Sequence, residues 1–530
     1  MNRGLTYAAA AGLLTGLALV NPALAQKQGG ILRVEYHAHP PSLSILEFGT
    51  ISVVMPMMGV FNNLILFDQH VPQNRVESIV PDLATQWSWS EDGTELTFRL
   101  RDGVKWHDGK SFTAADVKCT FDILAGKTNE KPRSDFREPW FLNLEEVTTH
   151  GDREVRFHLK RPQPALLPML ASSYSPIYPC HLSMPDMAAH PIGTGPFKFV
   201  EYKPVRWIKL VRNPDYWKPG RPYLEGIEYI LSGNRSDPLP ALATGKVDMT
   251  FPYDVTVAQL KHVKSQAPGV ICELRPINGR VNLLVDGAPP FDDPVLRRAI
   301  QLSLDRRAFI DILSEGHNDI GGVLQPPPEG IWGMPPELLQ TLPGYGPDVQ
   351  KNRDEARGLM RSLGYGPENR VSVAVSASKS ALHRDPAAIL IDQLKEIWIE
   401  GEFKPVEVAH WIDRLTRKAF TLAVDLSMSV LDDPDTQYYQ NYSCQSPRNY
   451  TGYCNPEVEA LIDKQSAEGD PVKRKELVWL IERKLIEDAV RPTLFFMRQG
   501  TCWQPQVKGL TLMDNSIFNS WRMEDVWLDR

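Results

Sequence analysis

Two histidines, His37 and His39, stand two residues apart at the end of an alternating apolar run. Both rings would leave a strand on the same side. That arrangement is half of a metal site; the competing reading is a pair of surface histidines at a strand end. Six cysteines are present: Cys119, Cys180, Cys272, Cys444, Cys454 and Cys502. Cys444 and Cys454 bracket a short polar loop in which Pro447 and Gly452 supply turns. We favour a disulfide across it. Two buried thiols or zinc ligation are the alternatives, although zinc would want further Cys or His, which the loop lacks. The segment from Gly103 to Gly109 has five residues between its glycines where a phosphate loop needs four, and Trp106 and His107 would crowd a phosphate. It reads as a turn between two strands. Gly193-Thr194-Gly195 lacks the third glycine of a dinucleotide fingerprint. No Gly-x-Ser-x-Gly elbow and no His-Glu-x-x-His motif occurs. The 13 Trp and 16 Tyr can line a pocket with rigid, half-polar surface, but any single one is more often core.

The elements that would position these residues alternate between strands and helices. Segments 29–36, 96–100, 154–159, 207–211 and 229–231 alternate apolar and polar side chains and read as strands. Thr113 is placed to cap a helix with Asp116 at its third position. One helix is expected from Pro294 to Leu313, another from Ala387 to Ile399, and two more start near Pro456 and Pro471. This is α/β architecture. The net charge is −7 and no long Lys/Arg block occurs, which argues against a nucleic-acid binder.

The first residues give the chain an address. Arg3 is followed by an apolar stretch from Leu5 to Val20 and then Ala23-Leu24-Ala25. That pattern predicts a signal peptide over residues 1–25, cleaved after Ala25. Gln26 follows, so no lipid-bearing cysteine stands there, and twin arginines are absent. Removal of Arg3 leaves a net charge of −8. No later segment has the roughly 18 consecutive apolar residues of a membrane span. A soluble periplasmic protein is expected, and cysteine pairing is plausible in that compartment.

Four ordered segments then carry a family signature. The first is Val80-Pro81-Asp82-Leu83-Ala84, with Trp87, the run Leu96 to Gly109, and Phe112 to Val117. The second is Pro191 to Phe197 with Arg212-Asn213-Pro214-Asp215-Tyr216-Trp217. The third is Phe291 to Ile300 with Asp305-Arg306, and the fourth is Asn449 to Pro456. Together they resemble the family 5 extracellular solute-binding proteins of ABC importers, of the dipeptide- and oligopeptide-binding type. The resemblance implies a type II periplasmic binding protein fold, with two lobes and an extra domain inserted in the first. Residues 26–61, 192–280 and 498–530 would form lobe I, 62–191 the inserted domain, and 281–497 lobe II. It further implies a monomer that closes on its solute and docks on a permease whose ATPase subunits supply the energy, with no cofactor of its own. Cys444 and Cys454 match a short-loop disulfide of dipeptide-type members.

Peptide-binding relatives hold the ligand's amine with an aspartate a few residues before an Asp-Pro or Glu-Pro pair. Aligned on Asp433-Pro434, that position is Val430, which cannot pair an ammonium; Asp432 from a shifted loop is the weaker substitute. The end of the first strand (Tyr36, His37, His39) should face the cleft, as should Met428 and Val430 in the loop above, and Trp411, at a position near the cleft in relatives. Arg384 would hold a ligand carboxylate, and Trp140 and Trp503 would stack on the ligand. A peptide or peptide-like ligand is the leading expectation. The rivals are a non-peptide ligand (an organic or aromatic acid, an opine, a sugar, or a metal chelate assisted by His37 and His39), an extracytoplasmic hydrolase, and a chaperone-like or receptor role.

Overall fold

The computed structural model describes residues 26–36, 40–130, 132, 137–231 and 239–530. The expected signal peptide, His37 and His39 lie outside them. Among the described residues no helix is long and apolar enough to cross a membrane.

Three sheets organise the chain. A four-stranded sheet has the order Ile31–Tyr36, Gly226–Leu231, Trp207–Arg212, Phe197–Lys203, with only the first pair parallel. A second four-stranded sheet is antiparallel throughout: Ala84–Trp89, Glu95–Leu100, Glu154–Leu159, Leu144–His150. Its two central strands, Glu95–Leu100 and Glu154–Leu159, alternate buried with half-buried or exposed side chains, as a sheet with one wetter face does. The helix Ala114–Leu124 packs on it. Asp116 accepts the Thr113 N–H at 2.9 Å, so the expected cap is formed. The third sheet is mixed and has five strands: Ile399–Val406, Val371–Ser378, Leu422–Met428, Ile271–Val285, Thr493–Trp503.

Two long strands of that third sheet join it to the first. Ile271–Val285 and Thr493–Trp503 run antiparallel along most of their length. Trp503, at the far end, bridges Met249, which in turn bridges Val34 of the first sheet. The ladder breaks midway: Pro276 pairs with Arg498 and Arg280 with Phe496, so Ile277, Asn278 and Gly279 face Met497 alone. Asn278 adopts φ 47°, a left-handed conformation that Asn tolerates better than most residues. Extra residues bend a strand and release its pairing.

Several expectations are corrected locally. The helix expected over 294–313 is two, Pro294–Ser303 and Arg306–Ser314, because Leu304 is extended and the Asp305 carboxylate caps the Ala308 N–H at 3.0 Å. The helix expected over 387–399 runs instead from Ala381 to Lys395, and Ile399 opens a strand. The turn at 103–109 connects a strand to a helix rather than two strands, with a single bridge between Lys105 and Ser111. All six cysteines are paired: Cys444–Cys454, Cys119–Cys180 and Cys272–Cys502. In that state Cys444 and Cys454 offer no thiolates to zinc.

Candidate functional site

The strand Leu422–Met428 delivers the loop Ser429–Asp433 to the junction of three chain segments. The Val430 carbonyl accepts hydrogen bonds from Ser516 Oγ at 2.8 Å and Asn519 Nδ2 at 3.1 Å. Asn519 also reaches Asn74 Oδ1 at 2.7 Å, and Asn515 Nδ2 donates to the Asn74 carbonyl at 2.9 Å. Asn278, in the strand break, donates to the Leu431 and Asn515 carbonyls at 3.2 and 3.1 Å. Farther out, Arg161 donates to Tyr439 Oη at 2.8 Å and Gln163 to Asp435 at 3.2 Å. Beside these contacts lies a cleft of about 990 Å³, walled by Trp89 and Leu167 on one side and Trp332, Trp479 and Asp432 on the other.

The expected site residues fall in different surroundings. Tyr36 is fully buried; its hydroxyl donates to the Ser52 carbonyl and its ring meets Tyr229 and Phe251 edge-on. Burial pushes its phenol well above the usual range. Trp140 is buried and stacks on Tyr174 with centroids 5.8 Å apart, and its Nε1 has no acceptor among the described residues. Tyr174 meets Phe518, the neighbour of Asn519, so Trp140 and Val430 belong to one contact network. Trp411 is buried, donates from Nε1 to Asp425 Oδ1 at 3.0 Å and meets the His383 ring edge-on. Met428 ends its strand opposite Gly279 and is partly exposed. The Val430 side chain is buried in the core. Arg384 is exposed and pairs with Asp385 at 2.8 Å. Trp503 is buried at the far end of its strand, paired with Ile271, away from the junction. Asp432 accepts from the Ile331 N–H at 2.6 Å and Asn515 at 3.4 Å, and burial pushes its carboxyl up to about 7.

Sequence reasoning missed a polar face within the five-stranded sheet. Alternation puts Arg280 and Asn282 on the same side of their strand. They pair with Ser427 and Asp425 of the neighbouring strand, whose side chains share that side. Asn282 Nδ2 donates to Ser427 Oγ at 2.9 Å. Arg491, just before the strand Thr493–Trp503, donates to Asn441 Oδ1 at 2.9 Å and lies 3.7 Å from Asp425. Trp411 thus connects through Asp425 to Arg491. Arg280 is 2% exposed, and its Nε and Nη2 have no hydrogen-bond partner among the described residues. Burial, with Arg491 nearby, pushes it below its ordinary value. The available signal was a cation, Arg280, directly before the run Val281 to Val285, and another, Arg491, between Val490 and Pro492.

The family model for bacterial extracellular solute-binding proteins, family 5 (Middle), matches residues 78–449. The probable di/tripeptide-binding protein 5 of Pseudomonas aeruginosa is 25% identical over 522 residues, which span 91% of this chain and 93% of that one. Among solved structures, the periplasmic binding protein DppA of Helicobacter pylori, in complex with peptide STSA, superposes with a TM-score of 0.79 at 22% identity, covering 95% and 99% of the two chains. AgaA of A. tumefaciens R10, in complex with agropinic acid, gives 0.78 at 21% identity, covering 94% and 99%. The fold is the two-lobed type II periplasmic binding fold, as expected. The chain belongs to the bacterial extracellular solute-binding proteins of family 5.

Proposed function

We propose that this protein is the periplasmic binding component of an ABC importer, without catalytic activity, that captures a peptide or peptide-like solute between its lobes and delivers it to the permease. The observation that carries the reading is the pair of crossing strands whose ladder breaks at Ile277–Gly279, beside a polar junction contributed by both lobes. The break supports lobe boundaries at 280/281 and 497/498. A solute that touches both lobes stabilises the closed form and shifts the population toward it. The family supplies the binding role, and the di/tripeptide-binding relative supports the ligand class. The signal-peptide pattern of residues 1–25 supports export.

A non-peptide solute is the second reading, and Val430 favours it. Its buried side chain offers no carboxylate to an ammonium, while the carboxyl of Asp432 is already engaged by Ile331 and Asn515. Native mass spectrometry of protein taken from its own periplasm without dialysis separates the two. A series of bound masses spaced by amino-acid residues is the expected result. A single non-peptide mass refutes the peptide reading.

A further inference from the structure

The cleft of about 990 Å³ is large enough for a small molecule, and it is lined by neither the strand break nor the polar face of the five-stranded sheet. Its walls are indole and apolar carbon: Phe67, Trp89 and Leu167 on one side, Trp332 and Trp479 on the other. Val76 and Val472 also line it and are more than half exposed. The second wall is held in place. Trp479 Nε1 donates to the Trp332 carbonyl at 3.0 Å, and the Arg474 guanidinium lies 4.6 Å from the Trp332 ring centroid. Arg474 is itself neutralised by Asp433 at 2.8 Å and Asp435 at 3.3 Å. The remaining lining charges are uneven. Glu77, Asp432, Glu468 and Glu476 stand against Arg75 and Lys475, and none of the six forms an ion pair among the described residues. Asp432 supplies a directed acceptor. Its Oδ2 accepts from Ile331 and Asn515, whereas its Oδ1 makes no hydrogen bond among the described residues and is not enclosed by protein. This excess of carboxylates repels an anion, whereas an organic cation is attracted by them and by the indole faces.

We propose that this cleft is a binding site for an organic ammonium with an aromatic body, its N–H groups donating to Asp432 Oδ1 and its ring lying between Trp89 and the Trp332–Trp479 wall. The site goes beyond the solute-capture reading and does not depend on the captured solute being a peptide. A charge-assisted hydrogen bond to Asp432 is stronger than a neutral one, so the ammonium sets both affinity and orientation. The indoles add stacking surface for the ring. Trp89 ends a strand of the antiparallel four-stranded sheet and Asp432 lies in the loop Ser429–Asp433, so an occupant ties that sheet to that loop.

Calorimetric titration with phenethylamine, phenethyl alcohol and hydrocinnamate tests this, because the three share a ring and differ in charge. The amine should bind about tenfold tighter than the alcohol or better, and the acid weakest of all. Asp432→Asn keeps a carbonyl oxygen for the Ile331 N–H and should bring the amine to within about threefold of the alcohol. Trp89→Leu should weaken amine and alcohol together by about threefold or more, with circular dichroism confirming the fold of both variants. If Asp432→Asn does not fold, the wild-type ratios and Trp89→Leu decide. Amine binding no tighter than that of the alcohol or the acid overturns the site, as does binding of none of the three. Amine binding that either folded variant leaves unchanged overturns it too. None of these outcomes touches the solute-capture reading, which native mass spectrometry tests.

Discussion

Replacing Glu482 with Gln isolates a single buried titration. Glu482 lies on the helix Pro471–Asp488 and is fully buried. Its Oε1 accepts from Val323 at 2.5 Å and Leu324 at 2.9 Å, and its Oε2 from Met334 at 3.1 Å. Those donors and the Arg280 guanidinium favour the ionised form, whereas burial opposes it and wins, pushing the carboxyl from 4.5 up to about 7. Tyr345 and Tyr438 are the other ionisable groups facing it. The native state therefore holds a proton between pH 4.5 and 7 that the unfolded state has released, so stability falls as pH rises through that window. The shift is roughly 2.5 units at about 1.4 kcal/mol each, or about 3 kcal/mol. Gln carries no such titration, but its amide would oppose the Met334 N–H at a cost of about 1–3 kcal/mol. Urea unfolding followed by tryptophan fluorescence at half-unit pH steps measures the difference between wild type and Glu482→Gln. The wild-type advantage should shrink by about 3 kcal/mol from pH 4.5 to 7 and level off on either side. A flat difference, or one that grows with pH, would show that the three N–H donors outweigh burial, and would refute the reasoning.

Two further substitutions test the packing around the lobes. Asp82 and Arg522 form a fully buried ion pair at 2.8 Å that joins the segment around Asp82 to the C-terminal one. Asp82→Ala strands the guanidinium and should cost about 3–5 kcal/mol in denaturant titration; a loss below 1 kcal/mol would be inconsistent with the burial described. A Cβ on Gly193 would lie 1.9 Å from the Val60 carbonyl oxygen. Gly193→Ala should lower the melting temperature sharply or abolish soluble expression, and an unchanged melting curve would show that this approach is not kept in solution.

Sequence patterning is legible wherever one physical rule acts alone. Glu95–Leu100 and Glu154–Leu159 alternate because one face of their sheet is buried and the other wet. The helix at 294–313 misled because both real helices bury the same side of the chain, so the periodicity continues through Leu304 although the backbone does not. Only the Asp305 cap marks the stop, and it sits one residue before a sequence that looks equally helical. The Gly193-Thr194-Gly195 segment shows the opposite case. Its missing third glycine excluded a dinucleotide, but the reason for the glycines is contact with Gly59 and Val60, which are distant in the chain. The His107 ring completes that contact, accepting from the Gly193 N–H at 3.2 Å and meeting the Gly195 carbonyl at 3.0 Å.

The strand break adjoins the polar face of the five-stranded sheet. Arg280 follows directly after the break Ile277–Gly279, and Arg491 stands just before the second crossing strand. Two residues before Arg280, the Asn278 side chain ties the break to Leu431 and Asn515. If the chain parts at this break, the Asn278–Leu431 bond and the pair donated to the Val430 carbonyl by Ser516 and Asn519 must open, whereas the Asn278–Asn515 bond stays within one expected lobe. Each is a neutral bond worth about 1 kcal/mol, so together they leave closure within reach of the differential affinity a bound solute can supply. In this arrangement Val430 contributes through its backbone, as an acceptor for Ser516 and Asn519 of the C-terminal segment.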